Sequence, residues 1–168
     1  ATMIEPSLCN KLYKRELLYH SCLDRKIVNY EDLLRNFVLF QRAERTVYED
    51  FCPYQYWRRE NSMSNNTELA RQFKHILRAK EIIVDNSPNI YKDAAVRSFI
   101  SSLVNCANRL VFSKGKESRS LYSECRRKLI AEKKHLGLLL DRQKTAARLI
   151  ILCPIIHKWV YRIYLKRK

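Results

Sequence analysis

Glycine and proline are scarce in this chain: two glycines, Gly115 and Gly137, and four prolines among 168 residues. Glycine supplies tight turns and backbone cradles for phosphate, and proline interrupts helices. A chain this poor in both is expected to fold mainly into long helices with few interruptions. A glycine-rich phosphate-binding loop is excluded. Apolar residues at 46% and charged residues at 30% are ordinary for a folded protein, and the length is enough to bury a real core.

The texture changes near residue 65. Before it, short apolar runs alternate with aromatic clusters and turn residues. Residues 7–18 read as an extended segment passing into a short helix, and residues 30–40 as a helix with Glu31 and Asp32 at its positive end. Thr46 to Tyr48 and Tyr54 to Arg58 have the β-branched and aromatic content of strands, separated by Pro53. The expectation for residues 1–65 is a small α+β unit.

Residues 66–168 read as helices. Ser64, Asn65, Asn66 and Thr67 supply capping side chains. Leu69, Phe73, Ile76, Leu77, Ile83 and Val84 then recur at helical spacing until Pro88. A second helix is expected over 89–112, with Tyr91, Ala95, Phe99, Leu103, Cys106 and Leu110 on one face. A third is expected over 118–140, with Leu121, Cys125, Leu129, Leu136 and Leu139 inward, and a fourth over 142–164, interrupted or kinked near Pro154.

Thirty-three Lys and Arg against seventeen Asp and Glu give a net charge of +16, which favours anionic partners: nucleic acid, acidic lipid or phosphate-bearing substrates. Six cysteines, at 9, 22, 52, 106, 125 and 153, include no pair at the separation a zinc knuckle or redox motif needs. They read as reduced thiols of a cytoplasmic protein, and no secretory leader pattern is visible. His20, His75, His135 and His157 are too scattered for a ligand set.

Residues 142–168 are apolar, aromatic and rich in cations. From Asp141 onward eight Lys or Arg face one Asp, a net of +7. Arg148, Lys158 and Arg162 interrupt the segment too often for a membrane span of ~20 apolar residues. Two outcomes fit the pattern: an interfacial helix lying on acidic lipid, or a last bundle helix with a solvated basic face.

Three stretches, taken together, carry a resemblance. The first is Pro6 to Leu18, which contains the run Asn10, Lys11, Leu12, Tyr13, Lys14, Arg15. The second is Asn29 to Phe37, with Glu31 and Asp32 at a helix start, preceded by Tyr30. The third runs from Pro53 through Tyr54, Tyr56, Trp57, Arg58 and Arg59 to Ser64. In this order and spacing they resemble the second half of the catalytic domain of bacterial family 2 glycosyltransferases that build surface polysaccharide. Tyr30 stands where many members have Gly, and Trp57 where the first Arg of the third motif is common.

The resemblance implies the acceptor-side part of a GT-A fold over residues 1–65, followed by a helical extension over 66–168 that packs behind it or docks on a membrane. It implies that Asp32 is the base taking the acceptor hydroxyl's proton, with Glu31 holding the acceptor or orienting the loop. Arg58 and Arg59 are then candidates for the leaving diphosphate, and Asn10, Lys11 and Trp57 for weaker substrate contacts. Donor and acceptor would be a nucleotide-sugar and a glycan or lipid-linked sugar at the cytoplasmic face of the membrane. The resemblance also implies a nucleotide-binding half ending in an Asp-x-Asp motif that holds Mg²⁺ or Mn²⁺. No Asp-x-Asp occurs in this sequence, so these residues alone are expected to be inactive and to bind no metal.

The competing class is a non-enzymatic basic helical module that binds nucleic acid, an acidic protein or a membrane surface. The acidic and aromatic cluster between 30 and 60 would have no purpose there. The basic residues are also spread along the chain and form no dense stripe, so nucleic acid is not the expected partner.

Overall fold

The computed structural model describes residues 7–19, 30–49, 54–55, 57 and 69–166. The chain divides into two compact units, Ala1–Glu68 and Leu69–Lys168.

In the first unit, α1 (Arg15–Leu18) is a single turn and α2 (Glu31–Arg42) is three turns long. Leu34, Asn36 and Leu39 are the buried residues of α2, and α1 packs against it. The expectation of an α+β unit is not met among the described residues, none of which is in a strand. Residues 45–49 have no regular structure, and Val47 and Tyr48 are exposed. Strand propensity is realised only where a neighbouring strand takes up the backbone groups and a face is buried, and residues 45–49 have neither. Tyr54, Gln55 and Trp57 of the second expected strand are also irregular; Tyr56 and Arg58 lie outside the described residues.

The second unit is a helical assembly of α3 (Leu69–Asn86), α4 (Asn89–Leu110), α5 (Lys116–Ala131), a 3-10 helix (Lys133–Leu138), α6 (Asp141–Leu152) and α7 (Pro154–Lys166). α4 is the axis of the core. Ala95, Phe99, Leu103, Cys106 and Leu110 are buried as expected, and Val96, Ile100, Val104 and Ala107 are buried too, so the helix is enclosed on most sides. Tyr91, expected on that face, is instead exposed: it lies in the first turn, at the margin of the packing. α3 contributes Ala70, Phe73 and Leu77, α5 Leu121, Cys125 and Leu129, and α6 Ala147 and Ile150. Burying a side chain of Leu or Phe size is worth ~1.5–3 kcal/mol, and this cluster supplies most of the drive to fold.

Local chemistry sets the helix ends. The last carbonyls of α3 are taken by Asn86 Nδ2 on Ile82 O, Ser87 Oγ on Ile83 O and Lys92 Nζ on Val84 O. Gly115, just ahead of α5, sits at φ 137°, ψ 151°, a conformation essentially confined to glycine. The helix expected over 118–140 ends early, at Ala131, and continues as the 3-10 helix. Leu136 and Leu138, two residues apart, both pack on the core; residues at that separation do not face the same way on an α-helix, and the change of winding lets both reach it. The expected interruption at Pro154 is a full break: Cys153 leaves the helical region, at φ −147°, ψ 88°, because a residue before proline is disfavoured there, and Pro154 opens α7 where its missing N–H costs nothing.

Candidate functional site

α2 begins at a constrained place. Tyr30 precedes Glu31 and Asp32 in the left-handed conformation, φ 69°, ψ 18°, and is the non-glycine residue found there among the described residues. For an L side chain this costs roughly 1–2 kcal/mol, whereas glycine adopts it freely. The first turn of α2 carries Glu31 and Asp32, and Asp32 meets the segment around Leu8. Both carboxylates are half-buried and stand at the positive end of the helix, where negative charge is stabilised.

Asp32 is tied to a segment far from it in sequence. Its Oδ2 accepts the Leu8 N–H at 3.3 Å. That amide belongs to a turn closed by Lys11 N–H on Leu8 O at 3.3 Å. Within the turn, Lys11 Nζ donates to Ser7 O at 2.6 Å and to Asn10 Oδ1 at 2.7 Å. One helical turn further along α2, the Tyr13 hydroxyl donates to Asn36 Oδ1, and Asn36 is buried. Burial and then the negative charge of Asp32 push the Tyr13 phenol above its ordinary pKa. Asn10, Lys11 and Asp32 are therefore gathered around one turn, and Glu31 adjoins them on α2.

The remaining expected site residues are not brought to this turn by anything described. Trp57 is 79% exposed and has no hydrogen-bond or ring partner among the described residues. Arg58 and Arg59 lie outside the described residues. No group of three or more His, Cys, Asp and Glu that could hold a metal ion occurs among the described residues. Sequence reasoning missed Arg35, on α2 just past Asp32, whose Nε is buried with no hydrogen-bond partner among the described residues. A buried donor left so is costly and calls for an acceptor. Only the turn of α2 inward could have disclosed it.

The second unit holds two further features. His157, alone buried on α7, has Nδ1 3.1 Å from the Tyr122 hydroxyl and Nε2 2.8 Å from Asn108 Oδ1. Tyr122 donates to Nδ1 and Nε2–H donates to the amide oxygen, which is the pattern of a neutral ring. Burial accordingly lowers the His157 pKa. His157 stacks on Tyr122 and Tyr161, and Tyr161 on Phe112 and Tyr164, so α7 is anchored through an aromatic column. This is a structural histidine. Beside it an open groove of about 740 Å³ runs between α7 and the α4–α5 connection, lined by Lys114, Arg119, Lys158, Arg162 and Lys166 together with Phe112 and Leu165.

No family model, no curated protein and no solved structure matches the chain.

Proposed function

We propose that the first unit carries the acceptor side of an inverting family 2 glycosyltransferase of the GT-A type. The carrying observation is the hydrogen bond from Leu8 N–H to Asp32 Oδ2, which joins the neighbourhood of the first motif to the second across 24 residues. The left-handed Tyr30 supports the same reading, because it gives a physical reason for the glycine that many family members have before the Glu-Asp pair.

On this reading the acceptor hydroxyl approaches the Asp32 carboxylate, whose Oδ2 is oriented by the Leu8 amide. The hydroxyl oxygen attacks the anomeric carbon of the nucleotide-sugar as its proton passes to Asp32. The bond from that carbon to the diphosphate oxygen breaks, and the configuration inverts. Glu31 orients the acceptor, and Asn10, Lys11 and Trp57 contribute substrate contacts. Arg58 and Arg59 offset the charge that develops on the leaving diphosphate, and Arg35 has a donor to spare for an anionic group. The reading requires a nucleotide-binding half with an Asp-x-Asp motif and its Mg²⁺ or Mn²⁺, so these 168 residues alone are expected to be inactive. The test is release of nucleoside diphosphate from a panel of nucleotide-sugars by the natural polypeptide that contains these residues. Release that depends on added glycan or lipid-linked acceptor supports the reading. No release across the panel overturns it.

A further inference from the structure

α7 presents two different ridges to solvent. Its inward side carries buried His157 and half-buried Tyr161. Trp159, 66% exposed, stands nearly opposite His157, with Ile156 and Val160 on one flank of it, while Ile155, 81% exposed, sits one turn ahead of the cations on the other; Leu152 at the end of α6 is 79% exposed. On the other flank Lys158, Arg162 and Lys166 follow at four-residue spacing, one above the next on the helix, and face Lys114 and Arg119 across the groove. None of these five cations forms an ion pair among the described residues, although Lys158 also lies 6.0 Å from the Phe112 ring centroid. No described helix is long and apolar enough to cross a membrane.

We propose that this face of α7, with the basic groove beside it, docks on the surface of an acidic lipid bilayer. The two ridges together select the partner. Nucleic acid would neutralise the cations and leave Ile155, Ile156 and Trp159 in water. A purely apolar groove would cover the aliphatic ridge and leave the cations unpaired. A bilayer containing anionic lipid offers phosphate at one depth and hydrocarbon a few ångströms deeper, matching a helix that lies flat with Trp159 outermost, cations on one flank and Ile156 and Val160 on the other. The aromatic column under His157 fixes the roll of α7, so the apolar ridge is held outward before any lipid is met. This inference rests on the second unit alone and is independent of the glycosyltransferase reading.

The experiment is co-sedimentation of the full chain with phosphatidylcholine vesicles, with and without phosphatidylglycerol, alongside Trp159 emission recorded in a Trp57→Phe background. The expected result is binding that requires phosphatidylglycerol, weakens as salt is raised, and shifts the Trp159 emission to the blue. Arg162→Gln should lower the partition coefficient about five-fold, the effect of one cation near such a surface. Ile155→Ser with Trp159→Ser should lower it about a hundred-fold in the unmodified background. All these side chains are exposed, so circular dichroism should match the parent; if the double variant nonetheless misfolds, Arg162→Gln carries the test. Failure to sediment with acidic vesicles overturns the proposal, as does equal binding to phosphatidylcholine alone. So does vesicle binding with Trp159 emission unmoved, and so does binding to duplex DNA but not to vesicles, which would assign the groove to nucleic acid.

Discussion

Replacing Arg126 with Met should destabilise the second unit far more than an ordinary surface substitution. Arg126, half-buried on α5, sends its guanidinium to the C-terminus of α6: Nε donates to Ile150 O and Ile151 O at 3.2 Å each, and Nη2 to Ile151 O at 2.8 Å. These carbonyls belong to the last turn of α6, where the helix has run out of donors. The Ile150 carbonyl would ordinarily receive the N–H four residues on, but that residue is Pro154 and has none. Hydrogen bonds to charged groups contribute ~1.5–3 kcal/mol each when well made, and a cation at a helix C-terminus adds ~0.3–1 kcal/mol. Because the two Nε bonds share one donor and the side chain is partly in water, the net loss should be about 2–3 kcal/mol, lowering Tm by about 10–15 °C for a unit of roughly 100 residues. Chemical denaturation of the full chain measures it. Arg127→Met, at the exposed neighbouring position, is the control and should change stability by less than about 0.5 kcal/mol. Equal losses in the two variants would refute the capping argument.

Two other outcomes follow from buried groups. Burial lowers the His157 pKa in the folded state, so the neutral ring's contribution is fully present above the unfolded value of 6.5 and is lost as pH falls through the folded value. The denaturation midpoint should therefore drop as pH falls below about 6.5, and His157→Gln should flatten that slope; an unchanged slope would remove His157 as its source. Cys106 and Cys125 are both buried, and the contact between their thiols together with burial holds the Cys106 thiol well above its ordinary pKa. Mass-spectrometric mapping after brief alkylation should find exposed Cys9 labelled while Cys106 and Cys125 react only in denaturant; early labelling of either would contradict the packing of α4 against α5.

What could be read from sequence was whatever repeats along a single helix. The apolar period placed Phe73, Leu77, Phe99, Leu103, Leu121 and Leu129 inward, because burial of a helix face writes itself into spacing. Pro154 announced its break for the same local reason. The early end of α5 was illegible because Glu132 and Lys133 are ordinary helix formers, and it is Leu136, Leu138 and Leu139 finding the core that changes the winding. The expected strand at 46–48 failed because β-structure depends on a partner that propensity does not supply. At the candidate site, Glu31 and Asp32 were visible as acidic residues at a helix start. The left-handed Tyr30 and the Leu8 amide on Asp32 were not, since one is a backbone state and the other a contact across 24 residues. The link between Arg126 and Ile151, 25 residues apart, and that between His157 and Asn108, 49 apart, were hidden for the same reason.

The most direct test of the glycosyltransferase reading is steady-state transfer by the natural polypeptide containing these residues, comparing Asp32 with Asp32→Asn. Asparagine keeps the shape and can still accept the Leu8 N–H, but it cannot take the acceptor's proton. The expected result is a fall in kcat of about 10²–10⁴-fold with donor KM nearly unchanged and the same denaturation midpoint. Transfer at a near-normal kcat in the asparagine variant would contradict the account and leave Asp32 with a structural role at the start of α2.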